Sequence, residues 1–244
     1  MSILIISDLH ANLTALEAVI AAAGEFDSTW CLGDLVGYGP DPNECIARLR
    51  QLPNLQCVIG NHDAAVLMQI DADTFNPEAR SALLWTRKTI SEEVHKFLQA
   101  LPERIVIENL GVTLVHGSPR HPVWEYLLDV HTATANFNFF ETPWCFVGHT
   151  HLPVVFSLKT DRYSASLQIP TPDQIIPLPN RAILNPGSVG QPRDHDPRAS
   201  FAIFDSEQNT WTNQRIAYDI PDVQTRMQRY RLPERHILRL SGGW

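Results

Sequence analysis

The sequence predicts an α/β fold: a parallel sheet with helices on it, followed by a second, more antiparallel sheet. Three observations carry this. Short all-apolar runs end repeatedly in Gly or Ser, with a metal-capable residue at or near the turn. Helical patterns separate the first of these runs, and beyond His151 the helical periodicity gives way to short extended runs.

The first run, Ile3–Ile6, leads into Ser7-Asp8-Leu9-His10, and Trp30-Cys31-Leu32 leads into Gly33-Asp34. Cys57-Val58-Ile59 precedes Gly60-Asn61-His62-Asp63, Val112–Val115 precedes His116-Gly117, and Cys145-Phe146-Val147 precedes Gly148-His149-Thr150-His151. Short apolar runs bounded by turn residues read as strands buried on both faces. Asn12 can cap a helix with Leu13, Leu16, Val19, Ile20 and Ala23 on one face. Asp41-Pro42-Asn43-Glu44 has a capping-box pattern with Pro at the first helical position, ahead of Ile46 and Leu49. The resulting β-α-β-α-β order favours a parallel sheet.

Between Asn61 and His116 a helical insertion is expected, at about residues 69–101. Asn76-Pro77-Glu78 starts one helix, with Leu83, Leu84 and Ile90 inward, and Ser91-Glu92-Glu93 starts another, with Val94, Phe97, Leu98 and Leu101 inward. Later extended runs are Val154–Leu158, Ser164–Ile169, Ala182–Leu184, Ser200–Phe204 and Trp211–Ala217. Asp219–Tyr230 reads as a terminal helix, after which the last residues are expected to be loosely ordered.

With 244 residues, 44% of them hydrophobic and 19% charged, the chain suits one domain over 1–244 with a substantial core. Ser7 and Asp8 break the first apolar run, so it is not a signal peptide, and no window is long enough to span a membrane. Cys31, Cys45, Cys57 and Cys145 form no CxxC pair and read as buried, reduced residues. A cytoplasmic location is therefore expected. The net charge of −8 opposes binding to long nucleic acid. It leaves a small phosphorylated substrate open, because bound metals reverse charge locally. The sequence does not fix the oligomeric state.

The turns supply Asp8, His10, Asp34, Asn61, His116, His149 and His151 at what should be one edge of the fold. Seven protein donors are too many for one ion that takes about six ligands, some of them water. They suit two divalent ions sharing a carboxylate, and the imidazole–carboxylate–amide mixture favours Mn, Fe, Zn, Co or Ni over Ca or Mg.

In this order, Asp8-x-His10, Gly33-Asp34, Gly60-Asn61-His62-Asp63, His116-Gly117 and Gly148-His149-Thr150-His151 resemble the calcineurin-like metallophosphoesterase superfamily. Asn185–Asp194 further resembles a bacterial and archaeal branch of small phosphodiesterases, which is also similar to diadenosine tetraphosphatases. The resemblance implies a four-layer α/β-β/α sandwich: two mixed sheets flanked by helices, with the metals between the sheet edges. It implies that Asp8, His10, Asp34 and His151 hold one metal, and that Asp34, Asn61, His116 and His149 hold the other. A hydroxide between them would be the nucleophile. His62 would not ligate, but would lie near the substrate and protonate the leaving group. Two divalent ions outweigh two Asp carboxylates and a hydroxide by one positive charge, enough to attract phosphate to an acidic chain.

The protein phosphatases of the superfamily carry an Asp and an Arg where this chain has Gly37 and Tyr38, which turns the expectation away from phosphoproteins. Asp63 could orient His62 or cap the helix that follows. Asn61, His62, Arg120 and Arg193 are candidate substrate contacts, although Arg120 and His121 also suit ordinary loop roles. The Asn185-Pro186-Gly187-Ser188 turn could present amides to an anion or serve turn chemistry alone. Trp85 and Trp124 suit core or lid anchors better than base-stacking platforms. The expected activity is hydrolysis of small or nucleotide-like phosphate esters. A non-enzymatic scaffold on the same fold is the alternative, disfavoured because the donor set is complete.

Overall fold

The computed structural model describes residues 1–158 and 164–244. Its first elements follow the predicted order: β1 (Ser2–Ile6), α1 (Leu13–Ala23), β2 (Ser28–Cys31), α2 (Pro42–Leu49) and β3 (Gln56–Cys57). β1 runs parallel to β2, and β2 to β3. α1 begins where the Asn12 side chain accepts from Ala15 N at 3.1 Å. Strand alternation sends Leu4 and Ile6 towards the helices and Ile3 and Ile5 into a second core. Ile3–Ile6 of β1 are therefore all apolar because both faces of the strand are covered.

The helical segment is α3 (Asn61–Val66), α4 (Pro77–Thr89) and α5 (Glu92–Gln99). Asn76 and Ser91 cap α4 and α5 by accepting from Ala79 N and Val94 N. Then come β4 (Arg104–Ile107), β5 (Val112–Val115), α6 (Val130–Asn136), β6 (Trp144–Phe146), β7 (Pro153–Leu158) and β8 (Ala165–Gln168). β9 (Ile175–Pro177), β10 (Ala182–Pro186), β11 (Ala199–Asp205), β12 (Thr210–Ile216), α7 (Ile220–Arg229) and α8 (Glu234–Gly242) follow.

The strands form two six-stranded mixed sheets, ordered β3-β2-β1-β11-β12-β9 and β4-β5-β6-β10-β7-β8. The later strands thus do not make a sheet of their own. β7, β8 and β10 extend the second sheet, while β9, β11 and β12 complete the first. The sheets pack face to face through Trp30, Phe146, Phe204 and Trp211. Helices cover the outer face of the first sheet, and α6 covers that of the second. This is the α/β-β/α sandwich.

Three local expectations are corrected. Leu84 is exposed, because Ala79, Ala82, Leu83 and Thr86 form the buried face of α4. Asp41 makes no side-chain cap on α2 and instead pairs with Arg226 of α7 at 2.6 Å. The last residues are not loose: α8 packs Ile237 and Leu240 against Val223 and Met227 of α7. All four cysteines are buried and free. Among the described residues no helix is long and apolar enough to cross a membrane.

Candidate metal centre

The C-terminal ends of β1, β2 and β3 in one sheet and β5 and β6 in the other meet at one edge of the sandwich. All seven donors lie just beyond these ends, and each is at most 3% exposed. Five of them have positive φ: Asp8 (53°), His10 (46°), Asp34 (53°), His149 (66°) and His151 (61°). Asp and His tolerate this region better than most residues, but each such conformation still costs about 1 kcal/mol or more. Hydrogen bonds hold the turns in place. Asp8 N donates to Gly33 O, and His10 N to Asp34 O, at 3.0 and 2.9 Å. His149 N donates to Asp8 Oδ2 at 3.2 Å, and Ser188 Oγ to Asp8 O at 2.9 Å.

Asp8, His10, Asp34 and His151 bring one donor atom each within 4.8 Å of one another, and so do Asp34, His116 and His149. Asp34 belongs to both groups, its Oδ2 lying 3.7 Å from His10 Nε2 and 3.4 Å from His116 Nε2. Asn61 Oδ1 joins the second group at 3.1 Å from His116 Nε2.

The ring tautomers test whether these residues fit a cation. His10 Nδ1 faces Val36 O at 3.2 Å, His151 Nδ1 faces Gln191 O at 2.5 Å, and His116 Nδ1 faces Leu32 O at 2.7 Å. A carbonyl only accepts, so each Nδ1 carries a proton, and in the neutral ring that leaves Nε2 with a lone pair. Yet His10 Nε2 and His151 Nε2 stand 3.1 Å apart, and Asp8 Oδ1 is buried without a hydrogen-bond partner, 3.3 Å from His151 Nε2. His149 uses Nε2 on Trp124 O at 3.0 Å, leaving Nδ1 for the centre. Acceptors converge here without donors between them, an arrangement that suits divalent cations, with the carbonyls fixing ring orientation from behind. Without a cation, protons take up part of the charge. Burial, with Asp34 adding to it, raises the Asp8 carboxyl, and His116 is pushed up to about 9 because Asp34 outweighs its burial.

His62 donates its main-chain N–H to Asp34 Oδ1 at 2.8 Å, and its ring lies between His10, Tyr38 and Phe75. Its Nδ1 is buried without a partner, and burial lowers the ring to about 4. A Cβ on Gly37 would stand 2.6 Å from that Nδ1, so the absence of a side chain there makes room for the ring.

The expected substrate contacts divide. Asp63 makes no bond to His62: its carboxylate accepts from Gly60 N at 3.0 Å, the capping role, and from Leu35 N and Val36 N of the loop after β2 at 2.9 and 3.1 Å. Arg120 is taken up by Glu125, to which its Nη2 and Nε donate, and it lies over the Phe139 ring. Arg193, by contrast, lies over the Tyr38 ring at 5.9 Å, and that ring packs on His10 at 4.5 Å. The amides around the Asn185–Ser188 turn are largely used within the fold. Gly187 N is held by Asn185 Oδ1, and the adjoining Val189 N and Gly190 N donate to Ser7 O and Asp8 O. Tyr126, stacked on His149 at 3.8 Å, escaped sequence reading because it sits in a loop without a motif. Trp124, half-exposed beside Phe75, lies on the same rim.

A sandwich with such a centre defines a class of metal-binding hydrolase folds, and the family comparison agrees. Residues 1–209 match the calcineurin-like phosphoesterase superfamily domain, and the chain belongs to that superfamily. It is 46% identical to a metallophosphoesterase from Sphaerobacter thermophilus, with a TM-score of 0.90 over 100% of this chain and 99% of that one. It is 40% identical over 238 residues to an uncharacterized protein of Methanocaldococcus jannaschii, covering 95% of this chain and 94% of that protein. A symmetrical bis(5'-nucleosyl)-tetraphosphatase from Pectobacterium atrosepticum is 31% identical over 130 residues, 51% of this chain and 46% of that enzyme.

Proposed function

We propose that the chain is a phosphodiesterase acting on small or nucleotide-like esters, with two divalent ions, Mn, Fe, Zn, Ni or Co, at this centre. The observation that carries the reading is the convergence of buried lone pairs on two overlapping groups that share Asp34. Asp8, His10, Asp34 and His151 would hold one ion, and Asp34, Asn61, His116 and His149 the other. When bound, such ions lower the pKa of water and neutralise charge on the phosphoryl oxygens. The chain's own residues do the rest. Arg193 contributes positive charge at the substrate side of Tyr38. His62, its Nδ1 enclosed against Gly37, offers Nε2 to the departing oxygen. The ring is neutral while the site holds no anion, and the charge of an arriving phosphate raises its proton affinity. The partial likeness to the tetraphosphatase supports a nucleotide-like substrate.

Metal analysis of protein saturated with Mn should give two ions per chain, and Asp34→Asn should lower occupancy at both sites. His62→Asn should keep both ions and lose little activity on nitrophenyl esters, whose leaving group departs without a proton. On nucleotide diesters it should lose about 10²–10⁴ in rate. Equal losses on both substrate types would remove the proton-donor role, and loss of an ion would make His62 a ligand.

A further inference from the structure

We propose that Arg193, Arg239 and the Gln191 carboxamide form a second phosphoryl-binding subsite beside the metal-binding residues, taking the next phosphate of a phosphoanhydride substrate. This rests on the reading of the centre as a phosphoester-hydrolysing site.

Gln191 ties the two places together. Its main-chain oxygen holds the His151 ring, while its side-chain Oε1 accepts from Arg193 Nη2 at 3.2 Å and from Arg239 Nη1 at 3.3 Å. Two guanidinium groups thus converge on one neutral oxygen. Arg120, Arg198, Arg215 and Arg226 each pair with a carboxylate. Among the described residues neither Arg193 nor Arg239 has a carboxylate within ion-pair distance. Arg193 Nε, Arg239 Nε and Gln191 Nε2 are buried N–H groups without an acceptor. Buried donors in a folded protein are ordinarily satisfied, and leaving one unmade is costly. Burial, and after it the charge of Arg193, hold Arg239 below the usual arginine range. A phosphoryl group supplies acceptor oxygens and negative charge together, and the planar guanidinium fork matches its geometry.

The position selects the ligand. Tyr38 touches both places: its ring packs on His10, on His62 and on His236 of α8, and Arg193 Nη2 stands 3.5 Å from its hydroxyl. Arg193, over the Tyr38 ring that packs on His10, thus links the metal-binding residues to Arg239 through the shared Gln191 oxygen. A simple diester carries nothing to place there, whereas a phosphoanhydride carries a second phosphoryl group.

Isothermal titration of the Mn-loaded protein with imidodiphosphate and with orthophosphate, in wild type and Arg239→Gln, tests this. Wild type should bind imidodiphosphate at least about tenfold tighter than orthophosphate, and Arg239→Gln should shrink that ratio about tenfold. Arg239→Met, which keeps the stem packed near Trp244, serves if the Gln variant loosens α8, and the melting temperature reports folding. An unchanged ratio in a folded variant overturns the subsite. So does saturation of wild type by two orthophosphates of which imidodiphosphate displaces only one, since the second position would then be an independent site for free phosphate. Hydrolysis of bis(4-nitrophenyl) phosphate by the same wild-type preparation reads the centre separately. Its absence would overturn the reading on which the subsite rests, whereas activity with an unchanged ratio removes the subsite alone.

Discussion

Asp34 is held between close neighbours. Gly60 comes so close that a Cβ there would meet the Asp34 carboxylate and main-chain nitrogen, while His62 N donates to Asp34 Oδ1 from the other side. Gly60 itself lies in the extended region, at φ −99°, so alanine faces no backbone penalty and the effect of substitution is steric. Gly60→Ala should displace the carboxylate shared by both groups and lower metal affinity about 10–100-fold. Far-UV circular dichroism should still report the native fold. Metal titration followed by calorimetry checks it, and wild-type affinity in a folded variant would mean the turn has slack.

At the level of elements, the loop between β5 and α6 is what orients His149, through Trp124 O, and Glu125 is its internal tie. The Glu125 carboxylate accepts from Arg120, Ser118 and Asn136. Burial works to raise its pKa, but these bonds hold it at about 2. The folded state therefore binds fewer protons than the unfolded one. The stabilisation is complete above the ordinary carboxylate range and is lost as pH falls from about 5 towards 2. Glu125→Gln should cost about 1–2 kcal/mol at pH 7, discounted for its partly open setting, and should flatten the acid limb of the stability curve. Identical acid limbs in variant and wild type would place the titration elsewhere. This loop also marks how far the sequence could be read. The strands that carry ligands were legible because burial on both faces makes the runs before their turns mostly apolar. β4 is half-exposed, β9 has three residues, and α6 reads Val-His-Thr-Ala-Thr-Ala-Asn with hardly an apolar stripe, so these carried no signal. The seven donors were legible as turn residues after strands. Tyr126, Gln191 and Arg239 reach the site only through tertiary packing, and Asp41 left its expected cap for Arg226 on a helix far along the chain.

Across the whole molecule, the centre is the seam between two sheets: His116 follows β5 of one sheet and its Nδ1 is tied to Leu32 O beside β2 of the other. Buried carboxylates and facing lone pairs at that seam weaken the metal-free fold, so cation binding should stabilise the molecule as a unit. At a free Mn concentration about 100 times Kd the gain is about 2.7 kcal/mol per site. For a chain of this length that raises Tm by roughly 5–10 °C per site. Scanning calorimetry with Mn against EDTA measures it, and equal Tm values would mean that no cation is held at the seam. The strand order also has a consequence for biosynthesis. β11 lies beside β1, β10 lies between β6 and β7, and Ser188–Gln191 brace Asp8 and His151. A nascent chain that has emerged only as far as His151 carries every donor yet lacks the strands and braces that set them. The braced site therefore exists only once the chain has folded through β12, and a cation would meet an ordered set of donors only after that half of the fold has formed.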